Sequence, residues 1–125
     1  MAKKLQRDDA REERITMEIV VDAYDEQERA MGWYYYLESA LECPFLCRCV
    51  EERQVSPLEK GDEVEVVGMA DEEECMHEVF VLVRWGKKKK GLAVPLAQLE
   101  VVRGSEETRQ AVEDWRYWVA MGYEY

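Results

Sequence analysis

Long apolar runs and histidine are scarce in this 125-residue chain, and each scarcity removes a class of explanation. No stretch of about 18 apolar residues exists, so no membrane-spanning helix is expected. Met1 to Arg14 is charged throughout and has no apolar signal core, which points to the cytoplasm. The only histidine is His77, and no Ser, Cys or Asp is spaced to form a recognisable catalytic triad with it. Cys75 lies two residues away, but acidic neighbours raise a thiol pKa rather than lower it. Glycine-rich phosphate cradles are also missing. Lys87 to Lys90, enclosed by Gly86 and Gly91, lacks the spacing and the terminal Ser or Thr. An enzyme is not expected.

What the chain has in excess is carboxylate. Against 17 Lys and Arg stand 28 Asp and Glu, a net charge of −11. The first 14 residues hold five bases and four acids, so the remainder is more acidic still. Such a body repels phosphate backbones and disfavours nucleic acid. It favours divalent cations or a basic patch on a protein partner. Four cysteines in a cytoplasmic chain are expected to be thiols rather than bridges.

One domain fits the length. Met1 to Arg14 reads as a flexible charged tail or a loosely held helical turn, and residues 15–125 as a single domain. Ile15 to Val21 is β-rich and suggests a short strand or an extended lead-in. Asp25, with Glu28 three residues on, caps a helix predicted from Glu26 to Glu42, which Pro44 ends. Within it Trp33, Tyr34, Tyr35 and Tyr36 are consecutive, so they cannot share one face. Trp33, Tyr34 and Leu37 fit the core. Strands are then expected at Phe45 to Arg53, Glu63 to Met69, Met76 to Trp85, Leu92 to Leu96 and Glu100 to Arg103. Ser105 caps a final helix whose buried stripe is Thr108, Val112, Trp115 and Val119, closed by Gly122. The expected class is α+β: a small SH3-like five-stranded antiparallel β-barrel flanked by a long N-terminal helix and a C-terminal helix.

Several strings resemble the small cyanobacterial calcium-binding protein family, which is acidic and lacks EF-hands. They are Met17 to Tyr24 (MEIVVDAY), Met31 to Glu38 (MGWYYYLE), Gly61 to Val64 (GDEV), Glu73 to Cys75 (EEC), Leu92 to Leu96 (LAVPL) and Glu113 to Trp115 (EDW). The resemblance covers roughly residues 15–125. It implies reversible calcium binding, with a role as an intracellular calcium buffer or sensor in signalling.

Calcium takes six to eight oxygen ligands. The EF-hand pattern is absent, so a site must be assembled from separate segments. The densest source is Asp71, Glu72, Glu73 and Glu74, whose mutual repulsion a divalent ion would relieve. Glu38 and Glu42, four apart on a helix, form a second source. Asp114, beside Glu113 and before Trp115, is a third candidate. For each group the plain alternative is a solvated surface. Glu63 and Glu65 share a strand face and read as solvent-facing. A rival metal is zinc, on Cys43, Cys47, Cys49, Cys75 and His77, although no C-x2-C knuckle is present. A rival function is an acidic SH3-like interaction module for a basic protein partner.

Overall fold

A computed structural model describes residues 8–21, 23–84 and 91–122. The expectations for Met1 to Arg7, Asp22, Trp85 and the Lys87 to Lys90 tip fall outside these residues. The chain opens with a short helix, α1 (Asp9–Arg14), which runs into a π-helical turn, Ile15–Ile19. Two longer helices follow, α2 (Glu26–Ala40) and α3 (Glu106–Ala120). Between them lie β1 (Phe45–Cys49), β2 (Glu63–Met69), β3 (Phe80–Arg84), β4 (Leu92–Pro95) and β5 (Leu99–Arg103). They form one antiparallel sheet in the order β4-β3-β2-β1-β5.

The class is α+β, as the patterning implies, but the sheet is not closed. Its edge strands, β4 and β5, are joined through a 3-10 turn, Leu96–Gln98, rather than paired with each other. That turn is wholly buried and packs against α3. Strand alternation is as expected for β1, where Phe45, Cys47 and Cys49 point inward and Arg48 outward. Glu63 and Glu65 do face outward, and each meets an arginine: Arg48 at 3.2 Å and Arg84 at 3.0 Å.

The N-terminal expectations need correction. Of the two readings of Met1 to Arg14, residues 8–14 take the helical one rather than the tail: the Tyr117 hydroxyl accepts from the Asp8 N–H at 2.9 Å and donates to Glu12 at 2.8 Å. Ile15 to Val21 does not form a strand. Its helical turn sends Ile15 and Ile19 into the core, so helical spacing outweighs the β-branched composition.

The two long helices behave as their sequences predict at the N-caps. Asp25 accepts from the Glu28 N–H at 2.8 Å, and Ser105 from the Thr108 N–H at 3.1 Å. Trp33 is fully buried and meets Trp115 and Trp118 of α3 at ring-centroid distances of 5.0 and 5.7 Å. Tyr36 meets Trp33 edge-on from a third side, at 6.1 Å. The four consecutive rings therefore part company: Trp33 and Tyr34 are buried, Tyr36 is half-buried, and Tyr35 is exposed.

Gly32 lets α2 approach the π-helical turn. A Cβ there would stand 2.5 Å from the Ile19 carbonyl oxygen. Replacing it with alanine adds about 1 kcal/mol of helix propensity. The clash is with backbone, however, and forcing the turn away costs about 1–3 kcal/mol. Gly32→Ala is therefore expected to destabilise the protein, and chemical denaturation will show a lower midpoint. An unchanged or higher midpoint would mean that the turn moves aside freely.

Candidate functional site

β3 has apolar side chains on both faces, and this positions the acidic segment. Val81 and Val83 enter the main core, while Phe80 and Leu82 turn to the other side. There they pack with Tyr34, Ala70 and Cys75 in a small second core. Asp71 leads from this core into a 3-10 turn, Glu72–Cys75. Cys75 holds the end of the turn down, its sulfur accepting from the Phe80 N–H at 3.4 Å. The Tyr34 hydroxyl holds the start, donating to the Ala70 carbonyl at 3.1 Å. Asp71, Glu72, Glu73 and Glu74 are left exposed around a turn that is fixed from below.

The aromatic stretch of α2 borders this turn. Burial raises the Tyr34 pKa, and the negative charges of Glu38, Cys75, Glu72 and Asp71 raise it further. Carboxylates on two separate segments thus act on the titration of one phenol. Tyr35 lies over the same edge, its ring 5.9 Å from that of Tyr34, and its hydroxyl is 3.5 Å from a Glu72 carboxylate oxygen. The donors are hard oxygens, which suit calcium. They are not drawn tightly together: among the described residues, no three Asp, Glu, Cys or His side chains are grouped to hold a metal ion.

Two expected ligands stand elsewhere. Glu42 lies beyond the end of α2, because Leu41 is extended, so it is not one helical turn from Glu38. Its N–H donates to the Thr108 hydroxyl at 2.9 Å, which seats it beside the start of α3. Asp114 is fully buried. One of its oxygens accepts from Arg14 and lies 3.4 Å from the Arg11 Nε, and the other is 3.4 Å from the Tyr36 hydroxyl. Burial raises the Asp114 pKa, and the two arginines and Tyr36 offset part of that rise. The Tyr36 phenol, pushed up to about 12 by burial and by Asp114, keeps the proton it donates. Asp114 is thus a clasp for α1. Its depth is the missed signal: it lies three residues beyond Ala111 and six beyond Thr108, on the buried stripe of α3.

The zinc set is likewise dispersed. Cys47 and Cys49 are buried under the sheet, and the Cys49 sulfur is taken by Gln98 and the Glu51 carbonyl. Cys75 belongs to the acidic turn rather than to a strand shared with His77, and His77 is exposed.

Two outcomes follow from these placements. Asp114→Asn takes the buried carboxylate from Arg14 and from Arg11, which keeps Asp8 and Glu113 nearby, and is expected to cost about 3 kcal/mol in denaturant unfolding. Full retention of stability would show that the clasp contributes little. Burial pushes the Cys47 thiol up to about 12 from its ordinary value of 9.0. Folded protein keeps that proton while unfolded chain loses it above pH 9. This contribution to stability is therefore present below pH 9 and disappears as pH rises toward 12. Alkylation at pH 8 should label exposed Cys43 first and Cys47 only on unfolding; equal labelling of both in folded protein would contradict the buried placement.

Comparison with known proteins bears on which ion the carboxylates suit. No curated protein sequence matches the chain. The crystal structure of Anabaena CcbP is 38% identical, covers 99% of this chain and 100% of that one, and superposes with a TM-score of 0.85. A solved calcium-binding protein in its calcium-binding form is 40% identical, with coverage of 95% and 96% and a TM-score of 0.84. The family model for CcbP, described as calcium binding, matches residues 13–119. The chain belongs to the CcbP family of calcium-binding proteins.

Proposed function

We propose that the chain binds calcium reversibly where α2 borders the acidic turn and acts as a calcium buffer or sensor, with no catalytic step. The proposed ligands are Glu38, Asp71 and Glu72, with Glu73 and Glu74 as the adjoining reserve of charge. The observation that carries this reading is that the acidic turn lies against α2: the Tyr35 hydroxyl is 3.5 Å from a Glu72 carboxylate oxygen, and the charges of Glu38, Glu72 and Asp71 all raise the Tyr34 pKa. The strand order and the 3-10 turn between β4 and β5 support an SH3-like roll as the platform. No helix among the described residues is long and apolar enough to cross a membrane.

The physical sequence of binding follows from the anchoring. Backbone on both sides of the turn is held by Tyr34 and by Cys75, so the ion has only side chains to gather. Their repulsion in the free protein makes the turn receptive to a divalent cation. Gathering exposed carboxylates also costs side-chain entropy, which tempers the affinity. Calcium tolerates an irregular shell of oxygens, whereas magnesium demands a near-ideal octahedron and gives up its water reluctantly. A site closed by mobile carboxylates therefore selects calcium. Because only the folded chain presents the two segments together, bound ion stabilises the fold by about 2.7 kcal/mol at a hundredfold excess over Kd.

Calorimetric titration in physiological salt with excess magnesium tests this. Calcium should give heat and raise Tm, and Asp71→Asn with Glu72→Gln should weaken binding about tenfold, or 1.4 kcal/mol. Glu63→Gln with Glu65→Gln should leave it nearly unchanged. Absence of both heat and thermal shift at millimolar calcium would end the proposal; equal losses in the two double variants would reduce it to diffuse screening.

A further inference from the structure

Three large apolar side chains that face solvent fall close together in the chain: Met17 at 64% exposure, Val21 at 51% and Tyr24 at 83%. Scattered exposed apolar residues are ordinary, but a grouped set calls for a cause. These three belong to the π-helical turn and the connection into α2. Ile15 and Ile19 of the same turn are buried, so the segment is firmly seated and Met17 is presented outward from it. Two shallow hollows adjoin them. One, of about 340 Å³, is lined by Val21, Ala23, Gln27, Glu28 and Met31. The other, of about 240 Å³, is lined by Met17 and Thr16 with Asp9, Glu12 and Glu13.

Among the described residues that line these hollows, every charged one is acidic: Asp9, Glu12, Glu13 and Glu28. Asp8, Asp9, Glu13, Glu18, Asp25, Glu26 and Glu28 are all exposed. Two arginines of the same segment reach inward, Arg11 and Arg14 to Asp114 beneath α1, although Arg11 also lies 3.7 Å from Asp8, and Arg29 is half-buried. Burying those guanidiniums against Asp114 leaves the outer face with apolar prongs and carboxylates. Such a face is complementary to a helix with one apolar row and basic flanks. Apolar anchors at helical spacing would enter the two hollows, where Met17 and Met31 can adapt to them. Among the described residues, no sheet strand runs through this segment to pair with an extended peptide. A second copy of the chain would set one acidic rim against another, at a Coulombic cost.

We propose that the face between Asp9 and Met31 docks a basic amphipathic helix of a protein partner. This surface is built from residues other than the acidic turn, so the proposal stands apart from calcium binding.

The test uses the full chain and a helix-forming Leu–Lys peptide of roughly 18 residues, about five turns. A scrambled peptide of the same composition serves as its control, both followed by calorimetry at physiological salt. The ordered peptide should bind more tightly than the scramble. Met17→Ser with Val21→Ser and Tyr24→Ser should weaken it about tenfold, while Tm and the calcium titration stay the same. If that triple variant loses Tm, Glu13→Gln with Glu18→Gln, both on exposed side chains, should still weaken the ordered peptide and flatten its salt dependence. Equal affinity for the two peptides, or unchanged affinity in the variants, overturns the proposal. So does self-association of the peptide-free chain that the triple variant abolishes, which would give the face to a second copy.

Discussion

The packing of Trp33 against Trp115 and Trp118 is the contact on which the remaining geometry depends. It sets both the height and the rotation of α2 over α3 and the sheet. With Trp33 turned inward, the 100° step of a helix points Tyr34 toward the Ala70–Cys75 core and leaves Tyr35 at the surface beside Glu72. Tyr36, a further step on, faces Asp114. One indole thus sets three phenols in three different surroundings. Tyr34 is a buried tether, Tyr35 an exposed neighbour of the carboxylates, and Tyr36 a donor to a buried acid. Gly32 completes the arrangement, because without its bare Cα the π-helical turn could not close over the start of α2.

The acidity of the chain is distributed by purpose rather than spread evenly. Outward-facing glutamates on the sheet meet arginines across the strands, where exposed pairs contribute little to stability. The carboxylates of the 3-10 turn are different, since the backbone beneath them is held at both ends while the side chains stand exposed beside one another. A third kind is Asp114, buried and joined to Arg11 and Arg14. Its role is to fasten the N-terminal helix, and in doing so it takes two cations away from the protein's outer face. Electrostatics inside the fold therefore shapes the electrostatics outside it.

Much of the architecture is legible in the sequence because it rests on local rules. Caps at Asp25 and Ser105, the bounds of β2, the inward residues of β1 and the end of α3 near Gly122 all follow from short-range patterns. The acidic turn is visible as composition, and the two-sided character of Val79 to Val83 as a run of apolar residues. The departures share a cause. Ile15 to Val21 reads as a strand when β-branching is weighed above the spacing of Ile15 and Ile19. Glu38 and Glu42 read as neighbours when the helix is carried two residues too far. Asp114 reads as a ligand when its place on the buried stripe of α3 is not weighed.

Sequence alone determined the family strings, the α+β class, the order of the two long helices and the strands, and the excess of negative charge, all of which depend on residue type and near spacing. Only the tertiary structure decided what each carboxylate faces. Glu38 and Glu72 are 34 positions apart, and Asp114 and Arg14 are a hundred apart. Their partners depend on how α2 rotates over the sheet and on where α1 lies along α3. That rotation is chosen by the fit of a few large rings, a property of packing that no local pattern encodes.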